Sequence, residues 1–388
     1  MADSIEVDIY PEVFKWLRES AGWSYEDVSK KIKIDIDSVK NLECGKPKLT
    51  FNQLQSLANG FKRPVASFLL SKPISEKEPP KDYRMLPNKV GTFDKKTILV
   101  LRKARKLQEI SKDLINNIND KLDVSFKYET QKNKATVIGK KYRELFKLNE
   151  ETQRKFKDAY KFFDYLREIL QDNNIFVFQF SMPIEDARGF VLTDDTPKVI
   201  VVNTKDIIEA RIFTLMHEFG HILLGESAID LPNNNMVGTN DKTEQWCNEF
   251  AASFLLPSEI LEDLLKSTTI TPLTLIESNN LKRYSSRYKV SKAMFLYNLY
   301  KSDYISDREY NNKLNLYITP AIVKTNNKAN KKMPQMPSDK KCISEMGSKF
   351  VSLVADNYER KKITYNDALG YLSIKSKNFE KVLTKAKK

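Results

Sequence analysis

The two histidines of this 388-residue chain constrain it most, because they are its only two and stand four residues apart. They occur as His217-Glu218-Phe219-Gly220-His221, an H-E-x-x-H motif. Residues i and i+4 lie on one face of an α-helix, so the two imidazoles can converge on a single metal ion. Glu218 follows His217 and is therefore displaced around the helix from the two histidines, so that it reaches a water bound to the metal rather than the metal itself. The motif therefore predicts a helix that carries a metal centre.

The context of the motif supports this helix. Its apolar side chains recur at helical spacing, at Ile208, Ile212, Leu215, Phe219 and Ile222. Thr204 is expected to cap the amino-terminal end and Gly225 to stop the helix at its carboxy-terminal end. Two ordinary half-buried histidines on an apolar helix are the alternative, and this context favours metal binding over it.

A catalytic zinc centre needs three protein ligands and one open position. Since no third histidine exists, a carboxylate must complete the set, and the candidates downstream are Glu226, Asp230, Asp241, Glu244 and Glu249. We favour Glu244, because it begins an apolar helix that can pack back against the histidine helix. Asn248 follows one turn later and is predicted to be a hydrogen-bonding partner of the ligands.

Composition restricts the class of protein. A hydrophobic fraction of 41% is enough for real cores, and a chain of this length is expected to hold two or three domains. There is no 18-residue apolar run, and the first residues lack the pattern of a signal peptide. The three cysteines, Cys44, Cys247 and Cys342, have no C-x-x-C spacing. We therefore expect a cytoplasmic protein that has no contact with membranes.

The net charge of +14 is unevenly distributed. Residues 1–75 contain 11 Lys/Arg and 10 Asp/Glu, whereas residues 310–388 contain 17 Lys/Arg and 6 Asp/Glu. We interpret the carboxy-terminal excess as a solvated lysine-rich face, with nucleic-acid contact as the alternative. No internal repeat is evident in the sequence.

Residues 8–72 are predicted to form a unit of five short helices. Ser24 and Asp35 can cap the second and third helices, and Pro64 opens the fifth. Only residues 33–34 separate the second helix from the third, which is the spacing of a helix-turn-helix.

This unit resembles the Xre/lambda-repressor-type helix-turn-helix domain through LRESAGWSYEDVSKKIKIDIDSVKNLECGK and KLTFNQLQSLANGFKRPVASFLL. The resemblance implies a recognition helix over residues 35–42, with four side chains that face DNA bases: Asp37, Ser38, Lys40 and Asn41. The departure is electrostatic, since phosphate contacts normally need clustered Lys and Arg and this unit is almost neutral. A protein-binding or dimerising module is the alternative.

The predicted fold class is mainly α with a small β-sheet. After the first unit we expect a linker and connecting helix over 73–130, an α+β domain over 131–265, a helical extension over 266–310 and a basic carboxy-terminal domain over 311–388. The charged, proline-containing residues 75–83 are typical of a linker, and residues 94–122 of a helix.

Within the α+β domain, helices are expected over residues 133–148 and 150–171. Strand patterns follow at 175–178, 189–192 and 199–202. The last two strands should form a hairpin that leads into the histidine helix. Strand 198–202 is expected to hold an extended substrate by β-addition.

The constellation around the histidines resembles the ImmA/IrrE family of zinc metallopeptidases, whose fold is zincin-like. The resemblance rests on GFVLTDDTPKVIVVNT, RIFTLMHEFGHILLG, EQWCNEFAASFLLP and LKRYSSRYKVSKAMFLYNLY, and the tail from residue 344 is similar to that of long members. It implies that His217, His221 and Glu244 bind one zinc ion per chain and that Glu218 is the catalytic base. The family often has alanine at the position of Cys247, so one small side chain replaces another.

The resemblance implies a regulatory endopeptidase, latent without a trigger, that cleaves or inactivates a protein partner such as a transcriptional repressor. One alternative is a DNA-binding transcriptional regulator whose metal- or ligand-sensing domain is not catalytic. The other is a toxin–antitoxin component. The residue that stabilises the oxyanion is left open among Tyr284, Arg287 and Tyr288.

Overall fold

Two compact units, residues 1–103 and 104–388, make up the computed structural model of the chain. The structure describes residues 6–45, 48–74, 93–118, 126–226, 228–230 (by their backbone), 241–268, 270–316 and 336–386. The linker expected at 75–83 lies outside these residues. Within them, no helix is both long and apolar enough to cross a membrane. The described residues are mainly helical and form two small sheets, which confirms the predicted fold class.

In the first unit, the described residues up to 74 form five short helices, as predicted, and the fifth is a 3-10 helix. Its elements are β1 (Glu6–Val7), α1 (Pro11–Ser20), α2 (Tyr25–Ile32), α3 (Ile36–Leu42), β2 (Leu49–Thr50), α4 (Phe51–Phe61) and the 3-10 helix Val65–Leu69. The strands β1 and β2 pair antiparallel. The helices surround an apolar core that includes Val13, Phe14, Leu17, Val28, Val39, Leu42, Leu54, Leu57 and Phe61.

The predicted caps of the first unit are confirmed. The Ser24 hydroxyl accepts a hydrogen bond from the amide of Asp27, and the Asp35 carboxylate accepts one from the amide of Ser38. Between the two helices the backbone of Lys33 adopts a left-handed conformation with φ 58°. These three features define a tight α2–turn–α3 arrangement.

The rest of the chain begins with α5, which crosses the boundary between the units. The elements are α5 (Lys95–Asn117), α6 (Ala135–Leu145), α7 (Glu150–Lys155), α8 (Ala159–Asp172), β3 (Ile175–Phe180), β4 (Gly189–Leu192), β5 (Lys198–Asn203), α9 (Ile208–Leu224), β6 (Ala228–Asp230), α10 (Lys242–Leu255), α11 (Ser258–Ser267), α12 (Pro272–Leu275), α13 (Ser278–Arg287), α14 (Lys292–Lys301), α15 (307–316), α16 (Ser338–Met346), α17 (Ser348–Glu359), α18 (Tyr365–Leu372), a 3-10 turn (Ser376–Asn378) and α19 (Phe379–Ala386). The finer domain boundaries stay predictions.

The prediction of one long helix over 150–171 is wrong, because the helix is interrupted between α7 and α8. The Asp158 carboxylate accepts a hydrogen bond from the amide of Lys161 and thereby starts a new helix. Phe156 leaves the helical path, and its ring packs 5.3 Å from that of Phe162 and 5.1 Å from that of Tyr165. Burial of this aromatic ring offsets the loss of helix continuity.

The four-stranded sheet has the order β3-β5-β4-β6. The predicted hairpin is confirmed, since β4 and β5 pair antiparallel and β5 leads into α9. However, β5 also pairs parallel with β3, so both of its edges are occupied. The expectation that strand 198–202 binds substrate by β-addition is therefore wrong, because this strand has no free backbone groups to offer.

A buried arginine joins the carboxy-terminal helices to the sheet. The Arg167 guanidinium donates to the carbonyl of Val177 in β3 (Nε to O 3.0 Å) and to that of Ser344 in α16 (Nη1 to O 2.8 Å). Gln179 of β3 donates to the same Ser344 carbonyl at 2.9 Å. The first helix of the carboxy-terminal region is thus held against the outer strand of the sheet.

Candidate metal centre

The histidine motif lies late in α9, as the sequence predicts, and Gly225 ends this helix with φ 73°. Thr204 is not the cap: the N-cap position is Ile207, and no side chain caps it. The Arg211 guanidinium instead binds the chain that precedes the helix, by donating to the carbonyls of Thr204 and Asp206. The Arg211 side chain, which lies within α9, therefore holds the segment that leads into this helix.

The helix α10 supplies the third residue of the centre. The Asp241 carboxylate caps α10 by accepting hydrogen bonds from the amides of Thr243 (2.7 Å) and Glu244 (3.3 Å). This cap places Glu244 in the first turn. At the same end, the Trp246 indole donates to the carbonyl of Asn133 at 2.8 Å, which anchors α10 to the start of α6.

Three side chains from α9 and α10 meet at one point. The Nε2 atoms of His217 and His221 lie 3.2 Å apart, and each lies 3.2 Å from an oxygen of the Glu244 carboxylate. Ligand atoms about 2.0–2.1 Å from a tetrahedral zinc ion are about 3.3 Å from one another. The observed separations therefore suit a small tetrahedral metal ion.

The two histidines of the centre are buried, and the Glu244 side chain is 23% exposed. Both histidines are 1% exposed. Burial alone would raise the pKa of Glu244, but its ion pairs and hydrogen bonds with His217 and His221 hold this pKa well below its usual range. The carboxylate is consequently ionised at neutral pH, as a metal ligand must be.

Glu218 is fully buried and lies at the junction of α9 and β4. A methyl group added at Gly189, the first residue of β4, would come 3.3 Å from Oε1 of Glu218 and 2.5 Å from Cγ2 of Thr214. The absence of a side chain at Gly189 thus lets the strand approach the helix at the glutamate. The one sign of this contact in the sequence is a glycine at the start of a predicted strand.

The donor set of the centre fits zinc. Two imidazoles and one carboxylate are the usual protein ligands of a catalytic zinc ion, and three ligands leave one position open. Within the described residues these three form the only group of His, Cys, Asp and Glu donors close enough to hold a metal. Burial strongly raises the pKa of the nearby Cys247 thiol, which therefore stays protonated and is unsuited to bind the ion.

The rival carboxylates lie elsewhere or have other partners. Glu226 is exposed, Asp241 caps α10, and Glu249 pairs with Lys301 at 2.7 Å. The side chain of Asp230 lies outside the described residues. The structure thus brings only Glu244, of the described candidates, to the histidines.

The remaining predicted partners of the centre are not joined to it. Asn248 follows Glu244 by one turn but makes no side-chain hydrogen bond within the described part of the chain. Tyr288, the residue that follows α13, donates a hydrogen bond from its hydroxyl to Glu150 at 3.0 Å. Tyr284 and Arg287 lie within α13. The roles proposed for these four side chains stay predictions.

The predicted DNA-contacting residues lie on α3. Asp37, Lys40 and Asn41 are exposed and Ser38 is half-exposed. The Lys40 ammonium pairs with Asp37 at 3.1 Å, and the Ser38 hydroxyl donates to the capping carboxylate of Asp35 at 2.6 Å. Two of the four side chains therefore neutralise one another.

Residues 170–300 match the model of a peptidase family, described as the IrrE N-terminal-like domain. This match covers about a third of the chain and includes β3 to β5, α9 and α10. A comparison with curated proteins found no match. The region that holds the candidate metal centre is therefore similar to this peptidase family, and the match supports the ImmA/IrrE resemblance.

Proposed function

We propose that the chain is a zinc-dependent endopeptidase in which His217, His221 and Glu244 bind the metal and Glu218 is the base. One observation carries the proposal: the two histidine Nε2 atoms lie 3.2 Å apart, and each lies 3.2 Å from one of the two Glu244 carboxylate oxygens. The buried Glu218 lies on the same helix as the two histidines. The peptidase-family match of residues 170–300 supports it.

The chemistry follows from these residue types. When bound, zinc supplies a Lewis acid that activates water and polarises the carbonyl of the scissile peptide. Glu218 takes the proton from the attacking water and later passes it to the leaving amine. Because Glu218 lies at 0% exposure, bulk water does not compete for this proton.

The substrate that we propose is a protein regulator, such as a transcriptional repressor. The support is the resemblance of the first unit to a helix-turn-helix domain, together with its observed α2–turn–α3 geometry. A peptidase linked to such a unit can be brought to a repressor at its DNA site. The non-catalytic regulator stays the alternative, and it requires no Glu218 carboxylate.

The proposal is tested by replacing Glu218 with glutamine. This change keeps the size of the side chain and all three ligands, so zinc stays bound while the base is lost. New protein amino termini should appear by terminal-amine labelling in cells that express the natural chain and be absent with Glu218→Gln. A Glu249→Gln variant, which removes an exposed carboxylate of α10, is the matched control and should cleave normally.

Two outcomes would contradict the proposal. Identical new termini with the natural chain and the Glu218→Gln variant would exclude Glu218 as the base. Absence of new termini in both, with zinc bound and under stress as well as normal growth, would favour the non-catalytic regulator.

A further inference from the structure

Two pairs of helices near opposite ends of the sequence have the same local structure. The N-pair is residues 24–42, which contain α2 and α3. The C-pair is residues 364–382, which contain α18, the 3-10 turn and the first half of α19. Each residue of the N-pair corresponds to the residue 340 positions later, beginning with Ser24 and Thr364.

The first helix of each pair begins in the same way. In the N-pair the Ser24 amide donates to Oδ2 of Asp27 at 2.9 Å, and the Asp27 amide donates back to the Ser24 hydroxyl at 3.2 Å. In the C-pair the Thr364 amide donates to Oδ2 of Asp367 at 2.9 Å, and the reverse bond is 3.1 Å. Both are reciprocal capping boxes.

The turn between the helices is also the same. It is made by one left-handed residue in each pair, Lys33 with φ 58° and Ser373 with φ 53°. The next residue is isoleucine in both pairs, and the amides of Ile34 and Ile374 donate to the carbonyl five residues earlier at 3.3 and 3.2 Å. An extended residue follows in each pair, Asp35 or Lys375; the N-pair then continues directly into α3, whereas the C-pair continues into the 3-10 turn that leads to α19.

The two pairs bury corresponding positions but share few residue types. Four positions are buried in both, namely Val28 and Ala368, Ile32 and Leu372, Val39 and Phe379, and Leu42 and Val382. Only three of the nineteen positions are identical: Tyr25 and Tyr365, Asp27 and Asp367, and Ile34 and Ile374. The similarity of the two pairs therefore lies in caps, turn and burial rather than in residue identity, which is why no repeat is evident in the sequence.

The pairs differ most in the charge of the second helix. Asp35, Asp37 and Asn41 of the N-pair correspond to Lys375, Lys377 and Lys381 of the C-pair. These three lysines are exposed, and within the described residues none of them forms an ion pair. Three further exposed basic residues, Arg360, Lys361 and Lys362, precede the C-pair, and residues 360–388 contain nine Lys/Arg against two Asp/Glu.

We propose that the C-pair is a second helix-turn-helix and that it binds duplex DNA through its second helical segment, the 3-10 turn from Ser376 and the α19 helix that follows it. In helix-turn-helix proteins the second helix enters the major groove with its first residues near the bases, and basic side chains around it contact phosphates. Lys375, Lys377 and Lys381 lie at the start and on the exposed face of that segment. The charge that the N-pair lacks is thus present at the corresponding positions of the C-pair.

We assign duplex DNA as the ligand of the C-pair because this surface combines helix-turn-helix geometry with exposed lysines that form no ion pair within the described residues. Such charges gain affinity by releasing counterions from a polyanion. The left-handed turn residue followed by an extended residue also occurs between α6 and α7, at Lys147 and Asn149, and between α13 and α14, at Lys289 and Ser291. What distinguishes the C-pair is the cluster of exposed lysines on its second helical segment. The proposal does not depend on peptidase activity.

The test is DNA binding by the full chain, measured by fluorescence anisotropy with a labelled 30-base-pair duplex at ~50 mM salt, where non-specific binding is strongest. The triple variant Lys375→Gln/Lys377→Gln/Lys381→Gln should bind at least about tenfold more weakly, with the slope of log affinity against log salt reduced by about 2–3. The matched control is Lys132→Gln/Lys157→Gln/Lys282→Gln, which removes three exposed lysines elsewhere in the second unit.

The control should retain the affinity and salt slope of the natural chain. Equal weakening in both triple variants would overturn the proposal, since binding would then follow net charge alone. Absence of binding by the natural chain would overturn it as well. A loss that appears instead with Lys40→Gln/Asn41→Ala would assign DNA contact to the N-pair. Circular dichroism checks that every variant is folded.

Discussion

Gly220 of α9 faces Cys247 of α10 so closely that a methyl group on Gly220 would lie 3.2 Å from Sγ and 3.4 Å from Cα of Cys247. Gly220 stands between Glu218 and His221, and Cys247 follows Glu244 by three residues. The contact therefore sets how near the two ligand-bearing helices approach. Across this contact, the Glu244 carboxylate of α10 lies 3.2 Å from both histidines of α9.

Replacing Gly220 with valine should separate α9 from α10. The added atoms have no space beside Cys247, so overpacking should lower the free energy of unfolding by about 1–3 kcal/mol. The shift should also weaken zinc binding, because Glu244 moves with α10. Thermal unfolding and a zinc-chelator competition measure the two effects. Zinc affinity equal to that of the natural chain would show that this helix contact does not position the ligand.

Gly370 provides the control for a glycine in a helix. It lies in α18, and a methyl group added there would meet no atom within 4 Å. Gly370→Ala should raise the stability of the chain by up to about 1 kcal/mol, because alanine favours the helix. Zinc affinity should not change. A destabilised Gly370→Ala variant would contradict the open space seen at this position.

Gly189→Ala should disturb the base rather than the metal ligands. The new methyl group would lie 2.5 Å from Thr214 and 2.8 Å from the carbonyl oxygen of Val201, so β4 must move away from α9 at Glu218. We expect a loss of stability of about 1–3 kcal/mol. Zinc should remain bound, whereas cleavage should fall. A variant that is destabilised but cleaves at the natural rate would show that Gly189 does not position Glu218.

Arg167→Met should loosen the carboxy-terminal helices. Burial lowers the pKa of Arg167 to about 10, so it is still charged at neutral pH and needs its carbonyl acceptors. Methionine would leave the carbonyls of Val177 and Ser344 without this donor, at about 1–3 kcal/mol for a buried unsatisfied group. Hydrogen exchange should become faster in α16 and α17, with zinc content unchanged.

Arg154→Met is the matched control for this prediction. Arg154 is exposed and pairs with Glu150 at 3.4 Å, an i,i+4 pair of the kind worth about 0.3–0.5 kcal/mol. Hydrogen exchange in α16 and α17 should not respond to this change. Equal acceleration by both variants would mean that Arg167 has no special part in holding these helices.

Local patterns in the sequence predicted the elements that local interactions determine. The caps at Ser24 and Asp35, the stop at Gly225 and the strands that precede α9 each depend on residues near in sequence. Glu244 was favoured because it starts an apolar helix, which is also a local property. The structure agrees on the caps, the stop and the strands, and it places Glu244 beside both histidines.

Features that depend on distant contacts were missed or misjudged. Thr204 looked like a cap, but Arg211 binds its carbonyl and the helix starts later. The interruption of the helix before Asp158 accompanies the packing of Phe156 against Phe162. The parallel pairing of β5 with β3 joins two separate strands, and no periodic pattern in the sequence indicates it. The resemblance of the two helix pairs was hidden because burial and capping tolerate many residue types.

The metal content of the purified chain tests the central claim most directly. Elemental analysis should find about one zinc per natural chain, and the metal should be absent from His217→Ala/His221→Ala and reduced in Glu244→Ala. Glu249→Ala, which changes an exposed carboxylate of the same helix, should keep its zinc. No stoichiometric metal in the folded natural chain, or full zinc in the double-histidine variant, would contradict the proposed centre and the hydrolytic function built on it.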